Sequence, residues 1–207
     1  MRLLVLGASG ATGREIVRQA LGHGHEVTAL VRDPSRFEVA DAHLRVVVGD
    51  ATDATAIASA VEGQDAVASA LGAHGERPVR VYSDGIANTI HAMTARGVRR
   101  LVVVSAAYVG GSAGLPLSLR LLGRAPGVSA LREDMERMEG DVQLSDLDWT
   151  IVRAAALTNG PLTGVYRTVE NAAVPGGRRI SRADLAALVL KCSEGSHFLR
   201  RTVAVAY

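Results

Sequence analysis

Short runs of consecutive apolar residues alternate along the chain with longer segments in which apolar positions recur every three or four residues. The runs at 2–6, 26–31, 44–48, 65–70, 100–105, 148–153 and 199–205 read as strands buried on both faces. Between them Ile16, Val17, Ala20 and Leu21, then Ile86, Ile90 and Met93, and later Leu185, Leu188 and Val189 fall at helical spacing, as in helices laid over a sheet. Pro78 ahead of a helix over 80–96 and Gly97 behind it mark its two ends. Ser181 with Asp184 reads as a capping box for a helix over 182–192. The alternation predicts an α/β fold, a doubly wound and mostly parallel sheet in three layers, with residues 1–207 forming one domain. Two less regular segments, 110–127 and 154–180, follow the carboxyl ends of strands, the edge where open α/β sheets bind ligands.

Gly7-Ala8-Ser9-Gly10-Ala11-Thr12-Gly13 leaves the first strand and opens the first helix. Glycine permits the sharp turn at Gly7, a close approach of a pyrophosphate at Gly10, and tight helix–sheet packing at Gly13. The N–H groups around Ser9, Ala11 and Thr12 then face the phosphates of a dinucleotide, the arrangement of a Rossmann fold. No Gly-Lys-Ser/Thr follows, which excludes a nucleotide P-loop, and Ser9 is not in a Gly-x-Ser-x-Gly elbow. At the end of the second strand, where an NAD enzyme carries an acid for the ribose 2′-hydroxyl, stands Arg32. Arg32, with Arg36 as a second cation, predicts pairing with a 2′-phosphate and hence NADP(H); Asp33 next door keeps NAD(H) as the lesser alternative. Asp50 and Ala51 follow the third strand, where they either meet the adenine or merely turn the chain.

The net charge of +2 is spread without any basic block, so neither nucleic acid nor a membrane surface is expected as a partner. The uncharged stretch Leu101 to Leu119 contains Gly110, Gly111, Gly114 and Pro116 and reads as a strand and loop, not a membrane span. A strand-like start without a signal peptide and the lone Cys192 predict a cytoplasmic protein. The six histidines show no metal-ligand spacing, so no metal is expected; His74 alone falls near the glycine-loop site.

Taken together, Gly7 to Gly13, Leu30-Val31-Arg32-Asp33, Val47-Val48-Gly49-Asp50, Leu71-Gly72, Val103-Val104-Ser105-Ala106, Pro161-Leu162-Thr163-Gly164 and Ile180-Ser181-Arg182-Ala183-Asp184-Leu185 resemble the atypical short-chain dehydrogenase/reductases. Within them the chain is most similar to the biliverdin reductase B/flavin reductase branch, along nearly its whole length. The resemblance implies that Ala70, Leu71 and Gly72 line the cofactor and that the strand ending at Ser105 supports the nicotinamide. Departures are equally informative. The Tyr-x-x-x-Lys pair of the main family cannot form, because the one lysine, Lys191, has Ala187 four residues before it. Met135 and Ala156 stand where relatives carry polar residues.

Ser105 and Tyr108 remain as candidate catalytic hydrogen-bond donors; the alternatives are a strand-end serine bonded to backbone and a tyrosine in the core. Segment 110–127, with its leucines, Arg120 and Arg124, reads either as a lid over a planar acceptor or as a dimer patch. The sequence therefore predicts an NADPH-dependent reductase of a flavin, quinone or tetrapyrrole-like acceptor, active as a monomer or homodimer. The competing reading is a regulator similar to NmrA-type proteins, which binds NADP(H) without turnover.

Overall fold

The apolar runs do form strands, but the run at 44–48 is not covered on both faces as expected: it edges the sheet and leaves Val46 and Val48 exposed. The computed structural model describes residues 1–73, 79–109 and 126–207. Strands β1 (Arg2–Leu6), β2 (Glu26–Val31), β3 (Leu44–Val48), β4 (Ala66–Ser69), β5 (Arg100–Ala106), β6 (Asp148–Ala154), β8 (Arg167–Glu170) and β10 (Arg201–Ala206) build one eight-stranded sheet in the order β3-β2-β1-β4-β5-β6-β10-β8. All neighbours are parallel except β8, which runs antiparallel to β10 at the edge. Two short strands, β7 (Ala156–Thr158) and β9 (Arg179–Ser181), pair separately. Chain order reverses between β1 and β4, which leaves a crevice at their carboxyl ends.

Side chains alternate across each strand, so the central strands feed two cores at once. Leu3, Val5, Val102 and Val152 face helices α1 (Ala11–Gly22) and α5 (Arg182–Glu194), joining Ile16, Val17, Leu185 and Val189. Leu4, Leu6, Leu101 and Ile151 face the other way, toward α2 (Ala54–Val61), α3 (Val81–Arg96) and α4 (Pro126–Leu144), joining Ile57, Ile86, Met93 and Met138. This is the doubly wound, three-layer arrangement. Gly97 closes α3 in the left-handed conformation at φ +70, as its position after the helix predicts. Helix α2 was not expected from apolar spacing; Asp53 starts it by accepting the N–H groups of Thr55 and Ala56. The segment 154–180, read as irregular, holds β7, β8 and β9, each too short for a periodic signal. Pro78 lies outside the described residues, as do His74 and most of 110–127.

The capping box at α5 is realised by half. Ser181 Oγ accepts the Asp184 N–H at 3.0 Å, but the Ser181 N–H goes to the Tyr207 hydroxyl, and the Asp184 carboxylate meets the Ser181 hydroxyl at 3.1 Å in place of that N–H. Fully buried, it accepts from the N–H groups of Thr163 and Gly164, from Thr163 Oγ1 at 2.8 Å and from Tyr207 Oη at 2.6 Å. Burial alone pushes this carboxyl up, yet Tyr207 and the loop donors outweigh it and hold the group at about 2. The loop 159–165 is thereby tied to the start of α5.

A depressed native value means that the unfolded chain takes up the proton first, so this stabilisation is complete above about pH 4 and fades toward about pH 2. Asp184→Asn is therefore expected to cost about 2 kcal/mol at neutral pH, and the gap to the parent should narrow below about pH 4. Urea unfolding of both proteins across that range measures this; a gap that does not change with pH would remove the carboxylate from the account.

Candidate dinucleotide site

At the crevice the first constraint is steric. Gly7 leaves β1 at φ +71, and a Cβ there would lie 2.3 Å from the carbonyl oxygen of Ala70, which follows β4. A Cβ on Gly13 would lie 2.2 Å from the Gly7 carbonyl oxygen. Both positions demand hydrogen where other residues carry carbon. Gly10 differs, because its Cβ would meet nothing nearer than Gly7 O at 3.2 Å. Gly10 caps α1 in an extended conformation without a side-chain bond, and no acid occupies the first turn. The first N–H groups of the helix are thus left to a ligand.

A cavity of about 460 Å³ opens over this loop, a size ordinary for a small-molecule site. At its dinucleotide end it is lined by Gly7, Ser9, Gly10, Ala11 and Thr12, then by Arg32, Asp50 and Ala51. Ala70, Leu71 and Gly72 form the floor between the two ends. The structure thus gathers eleven of the sequence-named positions, together with Ser105 and Tyr108, into one cleft. Gly13 and Arg36 are not on its wall. Gly13 packs beneath the loop, and Arg36 ends a 3-10 turn (Pro34–Arg36), where its carbonyl accepts from Arg14. Asp33 is occupied in the same turn, capping it through bonds to the N–H and hydroxyl of Ser35. Arg32 Nη1 approaches Asp50 Oδ2 at 4.0 Å. Partial burial pushes the Asp50 carboxyl up, but Thr52 and the Arg32 charge together hold it below the ordinary value.

The opposite end is built from the carboxyl ends of β5 and β6 and the starts of α3 and α5. Ser105 is 3% exposed, and its Oγ has no hydrogen-bond partner among the described residues. A buried hydroxyl left so is costly unless a ligand completes it. Tyr108 also lines the cavity, its phenol pushed up by burial and by nearby Tyr82, so it keeps its proton at neutral pH. Tyr82 is held at the start of α3 by Asp134, a fully buried carboxylate that accepts its N–H at 3.0 Å. Ala106, Ala107, Ala154, Ala155 and Ala156 also line this end, with Met135, and Ala154 and Ala155 are at the same time packed into the interior. Arg182 reaches the cavity from the first residue of α5 and donates to Asn159 Oδ1 at 2.5 Å. Neither Tyr82 nor Arg182 was named as a site residue from the sequence, although Arg182 lies in the motif Ile180–Leu185 and both open helices at the ligand-binding edge. Asp50 is the sole carboxylate among the described lining residues, and no imidazole, thiol or amine accompanies it.

The chain matches a family described as NAD(P)H-binding over residues 7–195. It belongs to that family. Its members share the Rossmann-type architecture seen here, and the loop, the open helix end and the orphaned Ser105 hydroxyl suit a nicotinamide dinucleotide. A Streptomyces 3-diazoavenalumate denitrifying reductase is 36% identical over 184 residues, 81% of this chain but 59% of that protein, so the chain spans about three fifths of that relative. A putative exported protein of Burkholderia pseudomallei is 29% identical in structure-based alignment, with a TM-score of 0.83 and full coverage of both chains. An anaerobillin reductase of Escherichia coli O157:H7 shares the fold at a TM-score of 0.84 and 23% identity, covering 100% of this chain and 97% of that one. Among the described residues no helix is long and apolar enough to cross a membrane.

The glycines separate folding from binding. Gly13→Ala should cost about 1–3 kcal/mol, because the methyl group has no room against Gly7. Gly10→Val should keep its fold within about 1 kcal/mol yet lose NADPH binding, its side chain filling the cleft. Urea unfolding beside calorimetry reads both; a folded Gly10→Val that still binds would move the dinucleotide off this loop.

Proposed function

We propose that this protein is an NADPH-dependent reductase that passes hydride to a small planar acceptor, a flavin or quinone before a linear tetrapyrrole, carrying an anionic group. The observation that carries the reading is the acceptor end of the cleft, where two tyrosines, an orphaned serine and Arg182 meet without any carboxylate, imidazole, thiol or amine among the described residues. The chemistry that a bound nicotinamide supplies is hydride donation. Acceptors of these classes complete their reduction with a proton from water, so no protein acid is required. The 36% identical Streptomyces relative, itself named a reductase, supports an enzyme.

Each residue then has a bounded task. Arg32, at the end of β2, pairs with a 2′-phosphate, while Asp33 faces its own turn and is withdrawn from the ribose. Ser105 Oγ, buried at the end of β5, donates to the nicotinamide or to the acceptor. Tyr108 acts as a neutral hydrogen-bond donor, not a proton shuttle, since burial raises its pKa and no lysine lowers it. Arg182 meets the acceptor's anion: its described partner is the neutral Asn159 amide, which leaves its charge available. Val81, Met135 and Leu157 exclude water around the transfer. A reducing cytoplasm, where NADPH is plentiful and the buried Cys192 thiol stays reduced, is the setting that fits.

Two measurements test this. Arg32→Ala should weaken NADPH binding ten- to a hundredfold, about 1.5–3 kcal/mol, and leave NADH nearly unchanged; equal losses would reject the 2′-phosphate role. NADPH oxidation with FMN, riboflavin, quinones and biliverdin should reveal turnover, with Tyr108→Phe slower by less than about tenfold, well short of the 10²–10⁴ loss of a general acid. In the same assay Arg182→Gln should raise KM for FMN but not for uncharged riboflavin. No turnover with any of them, despite tight NADPH binding, would favour a regulator of the NmrA type.

A further inference from the structure

At the end of the sheet opposite the cleft, the turn between α1 and β2 brings two imidazoles together. His23 follows α1 as its cap, Gly24 turns the chain at φ +76, and His25 leads into β2. The turn is fixed by backbone bonds from His23 N–H to Gln19 O and from His25 N–H to Ala20 O. Helix α5, which packs along α1 and receives the Gln19 side chain on the Ala183 carbonyl, ends at Glu194 beside this turn. His23 Nδ1 lies 3.3 Å and His25 Nε2 2.7 Å from the same oxygen, Glu194 Oε1. All three donor atoms fall within 4.8 Å of one another.

We propose that His23, His25 and Glu194 form a binding site for a divalent transition-metal ion of borderline softness, with zinc as the type, distinct from the dinucleotide cleft. Two imidazoles and one carboxylate are a donor set that zinc takes, with water in the fourth position. With bonds near 2.1 Å and tetrahedral angles, donors in such a site stand about 3.4 Å apart. The present separations of 2.7 and 3.3 Å need shifts of only about 1 Å to admit the ion. His25 is the fixed member, its side chain 14% exposed, whereas His23 at 57% and Glu194 at 38% can adjust and leave the site open to solvent. The other ring nitrogen of His25 faces the Met1 amine at 3.4 Å. With zinc on Nε2 the Nδ1 carries the proton and faces another donor, so the Met1 nitrogen must turn aside, which holds the affinity to a moderate level. Bound there, the ion joins the α1–β2 turn to the end of α5, two segments 169 to 171 residues apart in sequence. The site arises from that distance, since no local spacing of histidines announces it.

Zinc titrated by calorimetry into the metal-free full chain, at about pH 7.5 in a non-chelating buffer, should bind one ion per chain with a dissociation constant on the order of 10 µM. The thermal midpoint should rise with zinc concentration and stay put with magnesium, which prefers all-oxygen sites. His25→Gln and Glu194→Gln should each weaken zinc at least about tenfold, the double variant His23→Gln/His25→Gln should abolish the transition, and His43→Gln should change nothing. Glu194→Gln is isosteric and keeps a hydrogen bond for the histidines, so it serves if the double variant fails to fold by circular dichroism. NADPH affinity should be the same with and without zinc. Binding weaker than about 1 mM, or unchanged in Glu194→Gln and the double variant, would show an adventitious ion on other side chains and overturn the proposal.

Discussion

Everything at the ligand edge depends on the absence of two Cβ atoms. Gly7 lets the turn after β1 lie against the Ala70 carbonyl beyond β4, and Gly13 lets α1 lie against Gly7 itself. These contacts bring the open end of α1 to the place where chain order reverses in the sheet. They also set the height of the cleft floor, because Ala70 and Leu71 cannot move without moving β1. The dinucleotide half of the site is in this sense made of backbone, and the side chains that matter there, Arg32 and Asp50, are added at strand ends.

Acidic groups are plentiful inside the molecule but are committed to architecture. Asp134 holds the first turn of α3 through Tyr82 and Ser83, and Arg137 meets it from the same helix. Glu139 receives the Arg153 guanidinium through two bonds and fixes α4 to β6. Asp184 gathers the loop 159–165 and Tyr207. Each of these carboxylates is buried with donors around it, as burial of charge requires. None is on the cavity wall, which leaves the acceptor end polar without being acidic. Arg100 follows the same rule with opposite sign, its buried guanidinium spending its donors on the carbonyls of Cys192, Asp148 and His197 and on the Thr150 hydroxyl.

Much of this could be read along the chain. Strands β1 and β2 begin and end where their apolar runs do, because a strand covered on both faces needs no polar alternation; β3 matches its run as well, although it edges the sheet with Val46 and Val48 exposed. Helix α2 escaped notice since Ala54–Val61 is mostly alanine and threonine and its start rests on the Asp53 cap. Strands β7 and β9 have three residues each and depend on each other for pairing, which no local pattern encodes. In the site, the glycine spacing placed the loop and marked Gly13 as a packing position, yet no spacing could tell that the Arg36 side chain stays off the cavity wall. Tyr82 and Arg182 reach the cleft only through the docking of α3 and α5, a tertiary fact.

The alanines at the acceptor end have a consequence for descent. Of these, Ala107 and Ala156 line the cavity and belong to no core cluster, whereas Ala154 and Ala155 are packed into the interior, and the glycine loop lies at the other end. Exchanging Ala107 or Ala156 for a bulkier residue subtracts volume from one half of the cleft without crowding a core cluster. A lineage built on this scaffold can therefore reshape that half of the cleft by single codon changes, with the glycine-loop half inherited intact.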